Sequence, residues 1–242
     1  MSLAGRLMNV FATPGEVFDE VRAVTLSTAN WLLPLGMWAL VGAIAACLIF
    51  SQPGIQQQVR EQQAKAMDKQ VKAGKMTQAQ ADKTLEMVEK FTGPTMLKIF
   101  GSAGAVVGSF IHIFWWALVL WLVGRWILKA QFGYLKSLEV AGLASMIGVL
   151  GGILTMLLSV VLSRMYATPS LALALSDFDP TRKTHLAMGA ANVFYFWMLG
   201  VMSIGLAKLS GVPVIRAAIP VTVVWVLQQT LLILVGLGQF AL

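Results

Sequence analysis

The chain is poor in the side chains that carry most protein chemistry. Its 242 residues include one cysteine, two histidines and eleven acids, and only 12% of positions are charged. The lone Cys47 has no second thiol in the chain for a disulfide or a zinc pair. It lies inside an apolar block and reads as a small packing residue. His112 and His185 stand far apart, so no His-Glu-x-x-His helix exists. No Ser-His-Asp, Walker or dinucleotide fingerprint appears. Gly-x-x-Gly pieces such as Gly101–Gly104 lie in an apolar run, where they do not cradle phosphate. No catalytic residue, cofactor or metal is therefore expected, and the chain does not read as an enzyme. So little charge also excludes an ordinary soluble domain of this size. The first 30 residues carry charges throughout and lack a clean apolar h-region, so no cleavable signal peptide is expected.

What the chain has in abundance is apolar sequence. It is 57% hydrophobic, with 22 glycines and eight tryptophans, and its mean hydropathy is +0.75. The apolar residues sit in long blocks, which read as membrane spans. The formal net charge is +7. On a soluble protein that would raise nucleic acid as a partner. Here the bases lie between apolar blocks, which points to lipid headgroups and away from nucleic acid.

The fold class expected is all-α, a polytopic integral membrane protein with five spans. Residues 1–30 should form amphipathic helices lying in the interface. Leu3, Leu7, Val10 and Phe11 share one helical face. Thr13-Pro14-Gly15-Glu16 forms a capping-box pattern that starts a second helix, with Val17, Phe18 and Val21 on one side. Phe11 and Phe18 are the expected interfacial anchors, although packing of this helix on the protein itself fits its amphipathicity equally well. Spans are expected at about 31–50, 99–126, 138–162, 186–207 and 214–237. Between the first two, residues 51–98 alternate Lys and Arg with Asp, Glu and Gln. They read as a helical hairpin outside the membrane, bending near Gly74, with a second capping box at Thr77 and Gln80. Pro220 is expected to kink the last span.

Polar groups within the spans are few. His112 in span two, Asn192 in span four and Gln228-Gln229 in span five are candidates for interhelical hydrogen bonds. They would line a substrate path only if they faced one cavity. No carboxylate occurs at mid-depth, and Glu139 is expected at the watery edge of span three. Two small-residue motifs, Gly104-xxx-Gly108 and Gly148-xxx-Gly152, are expected to let helices approach closely. Five spans do not divide into the equal repeats of many transporters.

Several stretches resemble the Yip domain family, the five-span proteins named for interaction with Ypt/Rab GTPases, and its bacterial members in particular. Residues 9–18, Asn-Val-Phe-Ala-Thr-Pro-Gly-Glu-Val-Phe, are similar to the family's opening F-x-x-P-x-x-x-F pattern. Phe91-Thr92-Gly93-Pro94 resembles the Gly-Pro that precedes span two. Residues 197–212 resemble the fourth span and its Ser-Gly turn. Where the family tends to have Gly-Tyr-Ala-x-x-Pro in span three, this chain has Gly142-Leu143-Ala144-Ser145-Met146-Ile147. No role resting on that Tyr and Pro carries over. The resemblance implies five spans and a cytoplasmic N-terminus. In eukaryotic relatives it implies a role in vesicle traffic, and in bacterial relatives no settled activity. A plain count of bases conflicts with that orientation, because the eight bases of residues 51–98 would lie outside.

The expected function is a non-enzymatic membrane scaffold or adaptor of the Yip type. The alternative is a small transporter, or a subunit of one, with a polar path near His112, Asn192 and Gln228. Expected partners are the bilayer and membrane or peripheral proteins, with self-association left open. The expected location is the bacterial inner (plasma) membrane.

Overall fold

Helices begin where the sequence supplies a proline or a side-chain cap. Helix α1 (Leu3–Asn9) starts on Ser2, whose hydroxyl accepts from the Gly5 amide. Helices α2 (Pro14–Ala23), α4 (Pro53–Lys72) and α6 (Pro94–Leu122) each open on proline, whose missing N–H is no loss there. Helix α3 (Ala29–Ile49) follows a short linker. Helix α5 (Gln78–Phe91) starts on the expected capping box: the Thr77 amide donates to Gln80 Oε1 at 2.9 Å, and the Gln80 amide donates to Thr77 Oγ1 at 3.3 Å. At Thr13 the corresponding side-chain bond does not form, and Pro14 alone marks the start of α2. Helices α7 (Tyr134–Leu162), α8 (Lys183–Ala190), α9 (Val193–Ser210) and α10 (Val214–Leu234) complete the order. The computed structural model describes residues 1–238, with the backbone alone for 89–91. The last four residues of the expected membrane domain, 239–242, lie outside that description.

Among the described residues, α3, α6 with its following turn, α7, α9 and α10 are long and apolar enough to cross a membrane. The chain is an all-helical integral membrane protein. The second of these runs 34 residues, Pro94–Ile127, about 50 Å against a ~30 Å hydrocarbon core. It therefore starts well before the expected boundary and extends past the hydrocarbon. Its last turn, Val123–Ile127, is a π-helix, where the wider coil lets the Phe132 ring close over Gly124. Span four is shorter than expected. The helix breaks at Ala191–Asn192, leaving α8 as a separate short helix. Pro220 lies inside α10, as does Pro34 inside α3, and both helices continue through them.

Helix α7 is the core. Every residue from Ser137 to Val149 is buried, as in a helix enclosed on all sides. It packs against α3, α6, α9 and α2. Small residues let partners approach. A Cβ on Gly142 would stand 2.3 Å from the Trp31 Cα, and one on Gly148 would stand 2.8 Å from the Trp38 ring. Large apolar side chains such as Leu40, Ile111, Ile219 and Leu227 point outward and are exposed, the surface that lipid would cover. The N-terminal helices, the α6–α7 connection and the α9–α10 turn lie at one end of the bundle, the N side. The α4–α5 hairpin and the 163–192 segment lie at the other, the hairpin side.

Two expectations need correction here. Val17, Phe18 and Val21 on α2 are wholly buried, and α2 packs on α9 and α7. Phe18 is thus a core residue and not a membrane anchor; its ring fits beside Gly205, where a Cβ would stand 3.2 Å from it. Phe11 is half-buried and meets Trp197 edge-on at 5.9 Å. The Gly104-xxx-Gly108 face touches nothing within 4 Å. The close α3–α6 contact runs instead through Gly42 against Ala105 and Gly101 against Ala46 and Phe50.

Candidate functional site

The expected polar residues do not converge. His112 sits against α3, with its ring 4.6 Å from Trp38 and its Nε2 buried without a hydrogen bond. Gln228 faces α6, and its Oε1 accepts from Trp115 Nε1 at 2.8 Å. Gln229, one residue on, is buried. Asn192 is not within a span at all. It caps α9, its Oδ1 accepting from the Phe194 amide at 2.9 Å. A Cβ on Gly148 would stand 2.8 Å from the Trp38 ring, whereas one on Gly152 would make ordinary contact with Val41 at 3.5 Å. Among the described residues, no three of His, Cys, Asp and Glu come together to hold a metal.

A different cluster assembles on the N side. Glu139, expected at a watery edge, is 1% exposed. The N-terminal helices cover it. Its Oε1 accepts from Asn30 Nδ2 at 2.8 Å and from the Ser27 amide at 2.9 Å. Its Oε2 forms no well-directed hydrogen bond but lies 2.8 Å from Lys136 Nζ, an ion pair. Lys136 in turn donates to the carbonyls of Val21, at 2.6 Å, and Val24, at 3.0 Å. Those carbonyls close the C-terminal end of α2, where a cation is favoured. Asn30 Oδ1 accepts from Arg6 Nη1 at 3.3 Å, and Arg6 Nη2 donates to Glu20 Oε1 at 2.8 Å. The Met1 ammonium also reaches that oxygen, at 2.7 Å. These bonds hold Glu20 below the usual glutamate range: the Met1 ammonium contributes most, then Arg6. One connected network thus ties α1, α2, the linker, α3 and α7 together. Lys208 on α9 adds a second tie, to Asp19 on α2.

This arrangement positions helices. It presents no nucleophile beside a base, and its one buried carboxylate is already occupied on both oxygens. Sequence reasoning missed it, although Lys136-x-x-Glu139 at the head of an apolar run was a visible signal. An i,i+3 pair there has little water to share, so the two charges turn to each other and to whatever packs above them.

On the hairpin side the 163–181 segment is held against α4. Gln58 donates to the Ser163 carbonyl at 2.7 Å and accepts from the Met165 amide at 3.2 Å. Lys69 donates to Thr181 Oγ1 at 2.7 Å. A cleft of about 1000 Å³ lies between the two walls.

No curated protein and no solved structure matches the chain. A family model described as the Yip1 domain matches residues 8–237, nearly its whole length. That span takes in α2, all five membrane-crossing helices and the hairpin between the first two, and the chain belongs to the Yip1 domain family.

Proposed function

We propose that the protein is a non-enzymatic membrane scaffold that presents its two ends to other proteins and to lipid. The observation that carries this reading is the packing of α7. Trp31, Trp38 and Phe194 fill its glycine notches, and His112, Asn192 and Gln228 do not face one another among the described residues, which supports a packed bundle over a polar path. Family membership supports a Yip-type membrane protein. The resemblance further supports a cytoplasmic N side in a bacterial plasma membrane; a reporter fused after Leu242 that gave a cytoplasmic signal would refute that orientation.

The test of the scaffold reading is crosslinking in intact membranes, followed by mild solubilisation and mass spectrometry. Recurrent protein partners joined to residues 1–28 or 51–98 are the expected result. Self-crosslinks alone would overturn it. One observation favours the transporter alternative, namely the buried Nε2 of His112, which has no hydrogen-bond partner among the described residues. A His112→Leu variant that altered uptake or efflux in cells would move the conclusion there.

A further inference from the structure

The cleft on the hairpin side sits at a particular depth. Its floor includes Leu162, the last residue of α7, followed by Ser163 and Arg164. Its opposite wall is α4, which begins at Pro53, shortly after α3 ends at Ile49. Both walls therefore rise from ends of membrane-crossing helices. Just below, Val161 is 78% exposed and Leu162 43%, an apolar surface suited to acyl chain. The cleft thus adjoins the ends of two membrane-crossing helices, the depth at which headgroups are expected.

Its charges are unevenly engaged. Lys69 is bonded to Thr181. Asp179 accepts from the amide and hydroxyl of Thr181 and faces Arg182 at 3.6 Å. Glu61 accepts from Gln57 at 2.9 Å. Arg164 spends one N–H on the Leu175 carbonyl at 3.3 Å. Among the described residues, neither Arg164 nor Lys65 has a carboxylate within ion-pair distance. Both line the cleft, as does Asp177. A guanidinium fork and a free ammonium on one cavity suit phosphoryl oxygens. Asp177 leaves a place for an ammonium.

The walls are also set in advance. Gln58 staples both sides, Tyr166 and Phe178 stack at 4.7 Å, and His185 Nδ1 accepts from the Asp179 amide at 3.0 Å. A site organised before binding loses less on binding, and the volume falls at the upper end of the range for small-ligand sites. We propose that this cleft binds the headgroup of a zwitterionic phospholipid from the adjacent leaflet, with Arg164 and Lys65 meeting the phosphate and Asp177 facing the amine. The assignment goes beyond the scaffold reading and stands independently of any protein partner.

The experiment uses the full chain in nanodiscs of phosphatidylcholine doped with phosphatidylethanolamine that carries a photoactivatable headgroup. Labelled peptides should concentrate in 58–69 and 163–181, with 78–88 on the same hairpin as the control. The Arg164→Gln, Lys65→Gln double variant should reduce that labelling about tenfold, the loss expected when charge-assisted bonds are removed. Equal labelling of the control segment, or an unchanged yield in a folded double variant, would overturn the proposal. Where the variant fails to fold, competition on the unaltered protein decides. Millimolar inorganic phosphate or soluble glycerophosphoethanolamine should leave labelling within twofold, because the acyl chains hold the lipid in place. Abolition by either soluble compound would assign the cleft to a free phosphate compound and overturn the lipid assignment.

Discussion

Replacing Lys136 with methionine should detach the N-terminal helices. The Glu139 carboxylate is 1% exposed and Lys136 16% exposed. Removing the cation leaves a buried carboxylate with its two donors on Oε1 but no counter-charge, a change that costs roughly 3–5 kcal/mol in buried pairs. The carbonyls of Val21 and Val24 lose their donor as well, at about 1 kcal/mol each where water does not replace it. Because Lys136 is partly wet, water recovers some of this, and the net loss should be about 3 kcal/mol. Glu139→Leu should cost a similar amount, since the Asn30 amide and the Ser27 N–H lose their acceptor. The double variant should cost clearly less than the sum, with a coupling of about 2 kcal/mol, because an apolar pair leaves no stranded charge. The assay is unfolding in a fixed detergent, read by circular dichroism, with hydrogen exchange reporting on residues 1–23. Single variants within about 0.5 kcal/mol of the parent, or strictly additive effects, would refute the clasp.

Other contacts are open to simpler tests. Gly142→Ala would place a Cβ 2.3 Å from the Trp31 Cα and 2.9 Å from the Asn30 carbonyl; backbone cannot swing aside, so α3 must shift, at about 1–3 kcal/mol or more. Gly104→Ala meets open space and should stay within about 0.5 kcal/mol in the same unfolding assay. Trp115→Phe removes one bond between α6 and α10 and should cost about 0.6 kcal/mol, with a loss above ~2 kcal/mol counting against a simple packing role. Glu20 titrates below its ordinary value, so its contribution to docking is present above that value and disappears as pH falls through the depressed one. Exchange in α1, corrected for intrinsic rates, should stay flat from pH 7 to about 5 and rise only below about 4, and Glu20→Gln should abolish that step.

The spans were legible because length and hydropathy alone identify a helix that must cross lipid. Pro14 and the Thr77–Gln80 box marked helix starts for reasons local to the chain. What was not legible depended on which surfaces meet. Val17, Phe18 and Val21 give the same amphipathic pattern whether they face lipid or α9, and only the tertiary contact separates the two. Gly104-xxx-Gly108 and Gly148-xxx-Gly152 are alike on paper, yet Trp38 arrives at one and, among the described residues, nothing comes within 4 Å of a Cβ built at the glycines of the other. Asn192 read as a buried span residue because the hydropathy of 186–207 hides a break. A short polar side chain followed by Val-Phe-Tyr at the end of a Gly-Ala-Ala run was an available capping signal.

The charges of the N-terminal clasp and those of the cleft and hairpin are engaged differently, and that difference bears on where partners attach. On the N side, Arg6, Asp19, Glu20, Lys136, Glu139 and Lys208 are engaged by contacts within the chain, while Arg22, Arg125, Lys129 and Arg216 are exposed and, among the described residues, carry no ion pair. Another molecule docking there through the engaged charges would first have to break bonds already made, and would gain only the difference. On the hairpin side, Lys65, Lys72, Lys75 and Arg164 are exposed and, among the described residues, carry no ion pair. A ligand meeting them displaces water alone. Under the scaffold reading, the N-side clasp is therefore a fixed element, where substitutions read out as stability. The hairpin side is the recognition end, where charge changes should alter association and its salt dependence while leaving unfolding within about 0.5 kcal/mol. Partner crosslinks confined to residues 1–28, and unaffected by charge reversal at Lys72 and Lys75, would invert that assignment.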